Sequence, residues 1–177
     1  AITIKDGDVL LEAKLTTGQS QVVLAVKSGK AIRFEENKTR PMGRNASGVR
    51  GIRLANDADE VIGMVSVNDM DSDILVVSEN GYGKRSKLED YRMTNRGGKG
   101  VKTISITEKT GSLVSIKNVS DSDDLMIINR SGIAIRMEVE SLRVMGRATQ
   151  GVRLINLRDD DTIAAVAKVL KDDEDIE

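Results

Sequence analysis

Glycine falls in register along this chain, and that register constrains the fold more than any other feature. Gly29, Gly81 and Gly132 are separated by 52 and 51 residues, and Gly48, Gly100 and Gly151 by the same two intervals. A residue that tolerates unusual backbone angles and returns at a fixed period marks one supersecondary unit stacked on copies of itself. Each unit opens with an apolar run (Val22 to Val26, Ile74 to Val77, Leu125 to Ile128). A turn follows at Ser28-Gly29, Asn80-Gly81 or Ser131-Gly132, and then a return run at 31–34, 83–86 or 134–137. Gly and Asn accept the positive φ that tight hairpins demand, so this pattern predicts a β-hairpin. A third run alternates apolar positions at Val49, Ile52 and Leu54, at Val101, Ile104 and Ile106, and at Val152, Ile155 and Leu157. A fourth closes the unit at 61–67, 113–119 and 163–169. Four short strands per 51–52 residues predict an all-β chain of propeller-like, four-stranded blades.

The register also predicts domain organisation. Residues 1–18 read as the end of a preceding blade, with Ile2 and Ile4 in the places of Ile104 and Ile106, a turn at Asp6-Gly7 and a closing strand from Val9 to Ala13. Three blades follow at about 19–70, 71–121 and 122–171, and 172–177 form an acidic tail expected to be disordered. A repeat array entered in mid-unit is expected to be a fragment of a longer protein or to borrow a strand.

Composition excludes several chemistries. The chain has neither Cys nor His, which removes disulfides, thiolate nucleophiles, zinc sites and imidazole bases. No apolar stretch is long enough for a membrane helix and no secretory pattern opens the sequence, so no membrane partner and a cytoplasmic location are expected. The Gly-Lys pairs at Gly29, Gly83 and Gly98 have Leu24, Ser78 and Met93 where a Walker A loop needs its first Gly. No metal site, cofactor or catalytic residue is expected in this chain.

The net charge of −1 conceals a segregation. Five of the 28 acids (Asp172, Asp173, Glu174, Asp175 and Glu177) sit in the last six residues, and without them 23 acids face 27 basic groups. Four columns are basic in all three units: Arg33, Arg85 and Arg136; Arg40, Arg92 and Arg143; Arg44, Arg96 and Arg147; Arg50, Lys102 and Arg153. Lys99 joins them in the block Arg96-Gly-Gly-Lys-Gly100. Guanidinium groups fork onto phosphate oxygens, and a repeated cationic loop can follow a phosphate backbone from unit to unit. The competing role for an arginine column is pairing with acidic turns, and Arg33, Arg85 and Arg136 fit it best because they lie inside a strand. Only Phe34, Tyr82 and Tyr91 are aromatic, too few to stack unpaired bases, so the expected partner is duplex DNA contacted without base readout.

The repeated Arg-x-Met-Gly-Arg-x-x-x-Gly-Val-Arg and the block from Tyr91 through Asn95-Arg-Gly-Gly-Lys-Gly100-Val101 resemble the C-terminal DNA-wrapping domain family of DNA gyrase A. That resemblance implies a β-pinwheel with exchanged strands whose basic rim bends duplex DNA. It also implies partnership with the rest of gyrase A and with gyrase B, and support of negative supercoiling in a bacterial, nucleoid-associated enzyme that uses ATP and Mg2+ elsewhere. The family's Gln-Arg-Arg-Gly-Gly-Lys-Gly box is present only as the degenerate Asn95–Gly100 segment, and neither Tyr82 nor Tyr91 has the context of the family's catalytic tyrosine. The acidic tail resembles family tails that modulate wrapping, and electrostatically it would compete with DNA for the rim. The alternatives are the equivalent domain of topoisomerase IV and a protein-interaction propeller with an acidic partner.

Overall fold

The computed structural model describes residues 2–158 and 160–170; the acidic tail expected at 172–177 lies outside them. Three antiparallel hairpins form where the turn signals place them: β1 (Gln21–Val26) with β2 (Lys30–Glu35), β4 (Asp73–Ser78) with β5 (Tyr82–Lys87), and β8 (Asp123–Asn129) with β9 (Ala134–Glu138). The Gly29 N–H closes the first turn on the Val26 carbonyl at 2.9 Å, and Gly81 closes the second on Ser78 at 3.0 Å. The closing strands β3 (Val61–Val67), β7 (Leu113–Val119) and β11 (Ile163–Leu170) each pair with the first strand of their own hairpin. A β-bulge recurs near the turn end of each such pair, at Ala25/Val26, Val77/Ser78 and Ile163/Ala165. Bulges there increase strand twist in the same place in every unit.

The third run of each unit does not join its own sheet. Strand β6 (Val101–Lys102) comes from the second unit but pairs with β2 of the first, through Ala31↔Val101 and Lys30↔Lys102. Strand β10 (Val152–Arg153), from the third unit, pairs with β5 of the second. The sheet orders are therefore β3-β1-β2-β6, β10-β5-β4-β7 and β11-β8-β9. Gly100 and Gly151 make the exchange possible. They hold φ of +68° and +83°, and a Cβ at either would lie 2.5 Å from a carbonyl oxygen, that of Ala31 or of Gly83.

Two sequence expectations are corrected. Residues 49–54 form no strand, although Val49, Ile52 and Leu54 alternate like their counterparts, and neither does the segment from Val9 to Ala13. The cause is the exchange: position 49 would need the hairpin of an additional preceding unit, and the described residues contain none. Without a ladder partner the N–H and C=O groups of such a segment turn to water or to loop contacts, as the Arg53 N–H does to the Gly98 carbonyl at 2.8 Å. The turn at Asp6-Gly7 does form, with the Asp8 N–H on the Lys5 carbonyl at 3.0 Å.

Two apolar layers lie between the three sheets. Val23, Ala25, Ala31, Val65 and Val67 of the first unit pack with Ile74, Val76, Leu88, Tyr91, Ile104, Leu113 and Ile116 of the second. Leu75, Val77 and Val119 pack with Leu125, Ile127, Val139, Leu142, Leu154, Ile155, Ile163 and Val166. Each large side chain so buried contributes ~1.5–3 kcal/mol. Burial therefore reports neighbours: β4, sandwiched between sheets, is buried at all of its positions, whereas β9 alternates exposed and half-buried residues.

Candidate nucleic-acid interface

The basic loops arise directly from the exchange. After the 3-10 turn of the second unit (Leu88–Asp90) the chain leaves its hairpin and crosses onto the first, and the third unit crosses onto the second in the same way, whereas the segment after the first unit's turn (Glu36–Lys38) has no hairpin to join among the described residues. Parallel bridges Arg33↔Met93 and Arg85↔Val144 start the crossing, with the Thr94 N–H on the Arg33 carbonyl at 3.0 Å and the Met145 N–H on the Arg85 carbonyl at 2.9 Å. Strands β6 and β10 end it, followed by Thr103 N–H on the Gly29 carbonyl and Leu154 N–H on the Gly81 carbonyl, both at 2.8 Å. Between these anchors each loop carries its cations over the edge of the preceding blade.

The four basic columns divide by what their side chains touch. In the strand column, Arg33 donates from Nε to Gln21 Oε1 at 2.7 Å and from Nη1 to the carbonyls of Leu88 (2.8 Å) and Tyr91 (3.1 Å), and burial lowers its pKa. Arg85 is buried between Asp121 and Asp73, and Arg136 holds Asp124 Oδ2 at 2.6 Å. Acidic turns thus meet two of the three strand arginines, through Asp73 and Asp121 at Arg85 and Asp124 at Arg136. Asp59 serves another turn: burial pushes its carboxyl up, but the N–H groups of Ala55, Ser28 and Glu60 and the Ser28 hydroxyl outweigh this and leave its pKa lowered.

Arg96 and Arg147 make one and the same arrangement. Arg96 donates from Nε to the Lys38 carbonyl at 2.9 Å and from Nη1 to the Arg50 carbonyl at 3.1 Å. Arg147 donates from Nε to Asp90 (2.9 Å) and from Nη1 to Lys102 (2.7 Å), carbonyls at the equivalent positions of the next unit. Their companion Arg44 is exposed and makes no hydrogen bond or ion pair among the described residues.

The remaining cations face solvent. Arg40, Arg92, Arg143, Arg50, Lys99 and Lys102 are exposed, and among the described residues no hydrogen bond or ion pair occupies their side chains. Arg92 and Lys99 line one shallow depression together with Ala31, Ile32, Thr94 and Asn95. Arg153 differs from its column: it donates to the Tyr82 phenol from Nε (3.3 Å) and Nη2 (2.9 Å) and lies 5.3 Å from the ring centroid, with Lys109 at 5.4 Å. The hydrogen bond from Arg153 lowers the Tyr82 pKa. Phe34, Tyr82 and Tyr91 are all buried, so none offers a stacking face.

One residue of the site escaped the sequence reading. Lys84 lies on β5, 1% exposed, and donates from Nζ to the Gly146 carbonyl at 2.6 Å. Burial pushes its pKa down to about 8, with Asp90 opposing and Arg147 assisting. The signal was available: the equivalent positions hold Ile32 and Ile135, so a lysine there interrupts an apolar column. Among the described residues no cluster of His, Cys, Asp and Glu could hold a metal ion, and no helix is long and apolar enough to cross a membrane.

The chain matches a family described as the DNA gyrase C-terminal domain, β-propeller, in three successive stretches, residues 21–68, 72–120 and 123–169. DNA gyrase A of Staphylococcus aureus (strain NCTC 8325 / PS 47) is 47% identical over 177 residues, covering 99% of this chain and 20% of that protein. The chain thus spans about a fifth of the length of the curated relatives it matches. A solved DNA gyrase A C-terminal domain superposes with a TM-score of 0.87 at 28% identity, over 96% of this chain and 57% of the other. A topoisomerase IV C-terminal domain (TM-score 0.89, 22% identity, 96% and 52% covered) and the E. coli ParC C-terminal domain (0.75, 19%, 96% and 69%) share the fold.

Proposed function

This chain belongs to the family of DNA gyrase C-terminal domains, and from that membership we propose that it binds duplex DNA without base readout and bends it along the edge of the blade array. The observation that carries the reading is the set of free cations on the equivalent loops of successive units: Arg40, Arg44 and Arg50, then Arg92, Lys99 and Lys102, then Arg143. Arg153 stands at the margin of this surface. Arg33, Arg85, Arg136, Arg96 and Arg147 support it from within. Phosphates met in series by a rigid array draw the duplex toward each loop in turn. Bending a 20–30 bp segment by 40–90° costs ~1–6 kcal/mol, which several charge-assisted contacts offset.

As part of gyrase A, such a module presents wrapped DNA to a type IIA topoisomerase core and so supports negative supercoiling in the bacterial cytoplasm. Strand breakage, ATP and Mg2+ belong to other regions of that enzyme, where gyrase B is the expected partner. The gyrase assignment is favoured over topoisomerase IV by the 47% identity to DNA gyrase A, against 22% and 19% for the topoisomerase IV and ParC domains, which speak to fold.

A mobility-shift titration of this chain with a duplex of about 40 bp over a salt series tests the reading. Binding that weakens steeply with salt is expected, each neutralised phosphate adding about 0.9 to the slope of log K against log salt. No binding at low salt overturns it and returns the loops to the alternative of an acidic protein partner.

A further inference from the structure

The fork made by Arg96 and Arg147 has a consequence for the order in which the loops act. The two carbonyls that each guanidinium joins are the two ends of the preceding basic loop. Lys38 and Arg50 bound the segment carrying Arg40 and Arg44, and Asp90 and Lys102 bound the segment carrying Arg92 and Lys99. Each fork therefore closes the base of the loop before its own.

We propose that the basic loops are braced in series: the arginine at the tip of each loop is a positioning residue that holds the cations of the preceding loop in place for the DNA backbone. This rests on the duplex-binding reading above. Three observations support it. The fork recurs at equivalent atoms in both joints, although Lys38 in one is Asp90 in the other, so main-chain carbonyls and not side-chain charge define the target. The crossover strands β6 and β10 are two residues long, too short to fix by their ladder alone a segment such as the eleven residues between Asp90 and Lys102. The brace at the second joint is itself held, because the buried Lys84 ammonium grips the carbonyl of Gly146, the residue before Arg147. At the first joint Ile32 instead packs beneath Gly98. A loop ordered before binding spends less of its contact energy on being ordered, so loss of the brace weakens contacts that the arginine never makes.

The serial arrangement predicts whose contacts suffer. Arg147→Gln should weaken binding of a duplex of about 40 bp by about 5-fold. It should do so equally in an Arg143→Ala background, and by less than about 2-fold once Arg92, Lys99 and Lys102 are replaced by alanine. Its salt slope should match that of the unsubstituted chain. Equal effects in both backgrounds, or a slope shallower by about 0.9, would make Arg147 a direct phosphate contact and overturn the proposal. Amide hydrogen exchange gives a readout without DNA: Arg147→Gln should speed exchange at Thr94 and Thr103, which anchor the preceding loop, and unchanged exchange there refutes the brace. Should Arg147→Gln fail to fold, Arg147→Lys keeps the charge but loses the planar fork that presents two preset donors to the two carbonyls, and the same exchange test applies. Failure of the unsubstituted chain to bind DNA would sink the duplex reading while the exchange result still decides the brace.

Discussion

Lys84 places its ammonium 2.6 Å from the carbonyl of Gly146, inside the joint between the second and third blades. One buried cation thus fastens a main-chain acceptor of a neighbouring unit at a position where the other two hairpins carry isoleucine. Its burial sets up a pH dependence of stability with a definite sign. The folded chain holds Lys84 at about 8 instead of 10.5, so between these values the native state has released a proton that the unfolded state still binds. Stability gained from this group therefore rises with pH from about 8 upward and is absent below it. Chemical denaturation from pH 7 to 9.5 should show the native chain gaining on Lys84→Met as pH increases; parallel curves would contradict the buried ionisable lysine.

Tyr91 works in the opposite sense at higher pH. It is fully buried, shares a hydrogen bond with the Thr103 hydroxyl, and burial pushes its phenol up to about 12. The unfolded phenol loses its proton first, near the ordinary value of 10.0, so stability falls as pH rises from there toward 12. Tyr91→Phe should flatten alkaline unfolding above pH 10 while costing ~1 kcal/mol at neutral pH through the lost hydrogen bond. An unaltered alkaline limb in melts of the variant would show that another group governs it.

Alanine at Gly100 or Gly151 should break the exchange. Both combine positive φ with a carbonyl 2.5 Å from the new Cβ, and the acceptor backbone belongs to another blade and cannot move freely. A loss of ~2–4 kcal/mol is expected at each, against ~1 kcal/mol at Gly48, where φ is +81° but nothing lies within 4 Å. Equal losses at Gly48 and Gly100 in thermal unfolding would show that backbone angle alone, and not close approach, explains the glycine register.

Arg85→Ala removes the buried guanidinium 3.7 Å from Asp73, only 4% exposed, and leaves that carboxylate to Lys87 at 3.1 Å. Because one cation remains, the cost is expected to fall below the ~3 kcal/mol of a buried charge left alone. The variant should melt earlier yet bind duplex with an unchanged salt slope when folded. A shallower slope would instead place Arg85 on the DNA.

Part of this was legible before folding was considered. Hairpin turns at Gly29, Gly81 and Gly132, the all-β architecture and the acidic partners of Arg85 and Arg136 follow from local rules, in which Gly and Asn accept positive φ and a charged side chain inside a strand draws an opposite charge, whereas Arg33 turns instead to Gln21 and main-chain carbonyls. The segments at 49–54 and at 9–13 mark where such local rules stop. Their alternation is that of a strand, but a strand exists only if another chain segment offers its ladder.

The residues of this sequence determined the unit, its period and the cationic character of its loops, because turn chemistry and hydrophobic alternation act over a few neighbours. The tertiary structure alone decided which sheet each crossover strand joins and which cations remain free. Arg92 and Arg96 sit four residues apart in one loop, yet one faces solvent and the other spans two carbonyls. A guanidinium binds whatever acceptors lie within about 3 Å of it, and blade packing, which brings together residues more than 40 positions apart, sets those distances.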